Sequence, residues 1–139
     1  MNLTQLTTNG TDLRALAAEL AVPVVDGLQH QGDVSVVPAY MVTNYVKPRQ
    51  QVPMAGVPVL RGESNGNTHL LLASGDVLFD ECRSYDSHIS RITLGCLLVG
   101  TESVAYLSHP EHGDSGIGPG RYVLRRKREW IHEQRAVVD

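Results

Sequence analysis

The feature that most constrains this chain is its punctuation. From Gly32 onward, apolar residues come in short β-branched or Leu-rich runs separated by Gly, Asn, Asp and Pro. Such spacing leaves little room for long helices and suits strands joined by turns. The predicted strands are 33–39, 57–60, 69–73, 77–79, 89–99, 103–107 and 122–128. Asn65-Gly66 and Ser74-Gly75-Asp76 read as hairpin turns, and Gly100-Thr-Glu as a tight link between two strands. Many short strands with little helix predict a mainly β fold, a small antiparallel sandwich or barrel.

The exception is the start. Thr11 or Asp12 can cap the run Leu13-Arg-Ala-Leu-Ala-Ala-Glu-Leu20, which places Leu13, Leu16 and Leu20 on one helical face, and Pro23 stops it. The chain therefore divides into an N-terminal helical segment, 1–29, and a β-rich domain, 30–139, with a Pro-rich arm at about 46–58. Its 139 residues suffice for one core without metals or disulfides as staples. With only 5% aromatic residues, Val and Leu must fill that core. The opening Met-Asn-Leu-Thr-Gln-Leu-Thr-Thr lacks the basic flank and apolar run of a secretory signal, and no segment approaches the roughly 18 apolar residues of a membrane span. A cytoplasmic protein, or one of a particle assembled in the cytoplasm, is expected. Cys82 and Cys96 lie outside any metal-type spacing and read as reduced thiols.

In the arm, Pro48, Pro53 and Pro58 fall five apart. Proline removes ladder donors, so this stretch is an extended edge segment and not a central strand. Lys47, Pro48, Arg49, Val52, Pro53 and Met54 form a candidate interface for a partner, against the plainer reading of a long connection. Charge is uneven: residues 1–120 carry 6 Lys+Arg against 12 Asp+Glu, whereas residues 121–139 carry 6 against 3. In a strand, Arg126 and Arg128 share a face with Tyr122, Leu124 and Trp130, and one or the other is expected to lie against acidic groups of the body or of a neighbouring subunit, such as Glu63 or Glu111. The basic run with few stacking aromatics is too small a footprint for nucleic acid.

Chemistry concentrates in Glu63, His69, His109, Glu111 and His112, since imidazoles and carboxylates are ligands for zinc, iron or manganese. In a strand, His109 and His112 would face opposite ways; only a turn, for which Pro110 and Gly113 are suited, would unite them. Asp33 and Glu63, each following a Gly, also read as turn residues. No GxSxG, HExxH, P-loop or dinucleotide fingerprint is present.

The blocks Gln31-Gly32-Asp33-Val34, Gly62-Glu63 with Gly66-Asn67-Thr68-His69, Leu107-Ser-His109-Pro-Glu111-His112 and Pro119-Gly120-Arg121-Tyr122-Val123 through Trp130 resemble a family of small uncharacterised β-rich proteins of bacterial and phage genomes. In that pattern the second block reads Gly-His-x-His and the last Arg-Gln-Arg-Glu-Tyr. Asn67, Lys127 and Trp130 depart from it, and Asn67 removes a ligand that the family pattern would supply. The resemblance implies a non-enzymatic assembly or structural protein, such as a capsid decoration subunit, with itself or a particle protein as partner, no membrane and no cofactor. Two alternatives stand beside it. One is a metal-dependent, cupin-like enzyme or sensor using the His/Glu set and a divalent transition metal; the other is a nucleic-acid accessory protein using 125–128.

Overall fold

The computed structural model describes residues 13–61, 67–82 and 92–127. Among these residues, one helix, α1 (Leu13–Glu19), is followed by ten strands: β1 (Val24–Val25), β2 (Gln29–Gln31), β3 (Val34–Pro38), β4 (Val57–Arg61), β5 (Thr68–Ser74), β6 (Val77–Glu81), β7 (Thr93–Val99), β8 (Val104–His109), β9 (Gly113–Ile117) and β10 (Gly120–Arg126). They form two five-stranded sheets, ordered β1-β9-β8-β5-β4 and β2-β3-β10-β7-β6. Pairing is antiparallel except for β1, which runs parallel to β9. The sheets share one aliphatic core, in which Leu71, Ala105, Leu107 and Ile117 meet Val34, Val36, Leu97, Tyr122 and Leu124. This is a sandwich, as the punctuation predicts, and the described strands do not close into a barrel. Among the described residues, no helix is long and apolar enough to cross a membrane.

Strands such as β3 and β8 are buried along their whole length, where a half-exposed sheet would show alternation. Both outer faces are in fact covered. Over the first sheet lies α1, whose Ala17, with Leu13 and Leu16, packs on Leu72, Val104 and Tyr106. The second sheet has the Pro-rich stretch over it. Asn44 donates to the Thr93 hydroxyl and accepts from the Arg125 guanidinium (3.1 and 2.8 Å), and the Val46 amide points at Cys96 Sγ. The arm then joins the edge of β6: Val52 donates to the Val77 carbonyl, Phe79 donates to the Gln50 carbonyl, and the Asp80 carboxylate takes the amides of Arg49 and Gln50. Prolines at 48 and 53 fit because the amides needed for docking belong to other residues.

Several expectations change. The segment 1–29 is not purely helical, since β1 and the start of β2 lie inside it. Ser74-Gly75-Asp76 is not a hairpin: β5 and β6 belong to different sheets, so this turn, with Gly75 at φ +92, carries the chain across the sandwich. The strand β9, Gly-Asp-Ser-Gly-Ile, has no apolar pattern and is held by its neighbours. Asn65-Gly66 and the first part of the predicted strand 89–99 lie outside the described residues.

If the arm is part of the fold, its two sides must differ in energetic weight. Val52 is buried in the core and Met54 is 93% exposed. Val52→Ala is therefore expected to lower the free energy of unfolding by about 2 kcal/mol, and Met54→Ser to change it by less than about 0.5 kcal/mol, measured by urea denaturation.

Candidate functional site

Alternation carries polar residues into one end of the core. Leu71 and Leu107 face each other across β5 and β8, and two residues further along each strand, on the same face, stand His69 and His109. Both are buried, with ring centroids 4.3 Å apart. Beyond His109 the chain turns through Pro110-Glu111-His112 into β9, and this hairpin brings the exposed His112 back to 4.5 Å from His109 and 6.0 Å from His69. The turn that the spacing of His109 and His112 required is thus present.

Its closure uses His109 itself, whose Nδ1 accepts from the backbone N–H groups of Glu111 and His112 (3.0 and 3.1 Å). From the opposite sheet, Gln31 reaches across the end of the sandwich. Its amide nitrogen donates toward the Leu107 and Gly113 carbonyls (2.8 and 3.0 Å) and lies 3.1 Å from the Ser115 hydroxyl. The amide oxygen must therefore accept, and His69 Nδ1, at 3.0 Å, donates to it. Gly32, next to Gln31, has φ +55, and a Cβ there would fall 2.6 Å from the His112 ring. Only glycine meets both demands. On the rim, the Asn67 amide donates to the Glu111 carboxylate (2.9 Å).

These bonds fix the protons. Neutral His69 carries hydrogen on Nδ1 and a lone pair on Nε2, whereas neutral His109 carries hydrogen on Nε2. Burial, reinforced by the neighbouring imidazoles of His109 and His112, depresses the His69 pKa to about 4, against the opposing pull of Asp33. Burial and His112 also lower His109, with Glu111 opposing. His69 and His109 are thus uncharged near neutral pH.

Four of the five candidate metal ligands, His69, His109, Glu111 and His112, come together; Glu63 lies outside the described residues. Among the described residues, no group of three His, Cys, Asp or Glu side chains has the arrangement to hold a metal ion. The tautomers supply a reason, because a ligating imidazole offers a lone pair and the Nε2 of neutral His109 holds a proton. Sequence reasoning missed Gln31, which no charge or motif marks, although its place in the Gln-Gly-Asp turn was visible.

The other candidates are scattered. Of the arm residues, Pro48 and Val52 are buried against their own domain, while Lys47, Arg49, Pro53 and Met54 are exposed. The arginine held by the body is Arg125, 8% exposed and bonded to Asn44, whereas Arg126 is half-buried and Arg128 lies outside the described residues. Cys96 is buried, which raises its thiol pKa, and both cysteines are free.

A depressed histidine pKa makes acid destabilising: the contribution is complete above the unfolded value near 6.5 and is lost as pH falls toward 4. On the order of 2 kcal/mol from His69 is expected to disappear across that window. Denaturation curves at a series of pH values should show this slope, and His69→Gln should flatten it. At pH 7, Gln31→Ala should cost about 1–3 kcal/mol by leaving buried groups unpaired.

Comparison with the curated proteins and with the solved structures finds no significant match. A family model does match, over residues 30–127, and takes in every strand from β2 to β10 together with the arm and the histidine cluster. By that match, which spans more than half of its length, the chain belongs to the family described as Domain of unknown function (DUF8820).

Proposed function

We propose that the domain works by association and not by catalysis, as a structural or assembly subunit. The observation that carries this reading is the way the arm is mounted. Its inner side is fixed to the edge of β6 by backbone bonds and by buried Pro48 and Val52, and large apolar side chains stand outward, Val46 at 72% and Met54 at 93% exposed. Tyr40, in the preceding 3-10 turn (Ala39–Met41), is 87% exposed. Apolar groups held on a fixed backbone bind with little further loss of entropy, the advantage of preorganisation. Lys47 and Arg49, exposed between them, supply the polar rim that protein interfaces carry.

The histidine cluster supports the same reading. Its buried nitrogens are used to tie strands and a hairpin together, a structural employment. A place in a phage or bacterial particle is the finer form of the proposal and rests on the family resemblance in the sequence. A second copy of the chain is the first partner to test.

Sedimentation over a wide concentration range is expected to show self-association that weakens at least tenfold in the variant Val46→Ser, Met54→Ser, with thermal unfolding little changed. A strictly monomeric protein on which the double variant has no effect would overturn association through the arm.

A further inference from the structure

Beside the arm, a second feature has the form of a recognition site. The end of β3 pairs with the start of β10, Pro38 opposite Tyr122. The 3-10 turn then lifts the chain off the sheet next to Gly120 and Arg121, leaving an open trough of about 540 Å³. Its walls are Ala39, Tyr40, Val42 and Tyr45, and its charge is Arg121. Gly120 has φ +149, and the tip of the Tyr122 ring already occupies the space beside it. The volume lies within the roughly 300–1,000 Å³ of ligand sites. The trough is open to solvent along its face, however, as a chain segment would need and a small molecule would not.

Electrostatics narrows the occupant. No Asp or Glu lines the trough, although the chain holds 15 of them against 12 Lys+Arg. Arg121 and Arg125 stand on the same outward face of β10, four residues apart. The guanidinium of Arg125 is taken by Asn44 beneath the arm, while Arg121 is exposed and has no hydrogen bond or ion pair among the described residues. An open guanidinium in a trough that two tyrosines and aliphatic side chains also line matches a planar carboxylate next to an apolar group.

We propose that this trough binds a peptide segment of a partner protein, with an Asp, Glu or C-terminal carboxylate on Arg121 and an adjoining aliphatic or aromatic side chain against Tyr40 and Val42. The trough shares Tyr40 with the surface that carries the association reading, but Arg121 lies outside that surface, and a monomeric protein would retain the site.

The test is selection of a random peptide library on the whole protein, with binding of the enriched peptides then measured by fluorescence anisotropy. Enriched sequences should pair a carboxylate with an apolar neighbour, and their affinity should fall at least tenfold in Arg121→Glu and in Tyr40→Ala. Circular dichroism should show both variants folded; Arg121→Gln replaces the first if it is not. The proposal is overturned if no peptide is enriched, if enriched peptides bind Arg121→Glu and Arg121→Gln as well as wild type, or if basic peptides win. It is also overturned if inorganic phosphate or a short single-stranded oligonucleotide binds through Arg121 and acidic peptides do not.

Discussion

The end of the sandwich depends on one carboxamide. Gln31 belongs to the second sheet, yet its nitrogen reaches carbonyls on β8 and at the start of β9, and its oxygen takes the His69 proton. Three groups at this end, two carbonyls and the His69 N–H, are bonded by a side chain with no charge to desolvate. The tautomer of His69 follows from this contact, while its uncharged state follows from burial. One side chain thus ties the second sheet to the hairpin between β8 and β9 and orients the His69 ring.

The remaining architecture follows from a different constraint. A two-layer sandwich leaves two outer faces, and here each carries a cover. A seven-residue helix covers one, and the proline-spaced stretch covers the other. The coverings differ in what they leave behind. A helix pairs part of its backbone internally and leaves the rest at its ends, so it docks through an apolar side, here Leu13, Leu16 and Ala17. An extended segment must find partners for its amides, and the edge of β6 with Asp80 supplies them. That need explains why the arm is bound so firmly to its own domain while its outward side chains stay free.

The sequence made the class of fold legible because punctuation and β-branched runs act locally. It did not reveal which strands pair, so Ser74-Gly75-Asp76 read as a hairpin although it links the two sheets. The polar strands Gln-His-Gln and Gly-Asp-Ser-Gly-Ile escaped notice because their neighbours impose the extended form. The histidines were visible as candidates, but their meeting depended on a turn that His109 itself closes. Arg125 was passed over in favour of Arg126 because its cover comes from Asn44, about eighty residues away in sequence. Contacts of that range leave no trace in spacing or composition.

The position of β10 has a consequence for synthesis. The last of the described strands is the central strand of its sheet, lying between β3 and β7. Until it leaves the ribosome, β3 and β7 have no shared neighbour, and the hydrophobic rows of Val36 and Leu97 cannot be joined. At roughly 5–20 residues per second the nascent chain spends several seconds in that state. Its early strands then expose unpaired edges that invite other chains. Completion of the fold is thus a late event, in which one seven-residue strand closes the second sheet and brings Tyr122 and Leu124 into the core.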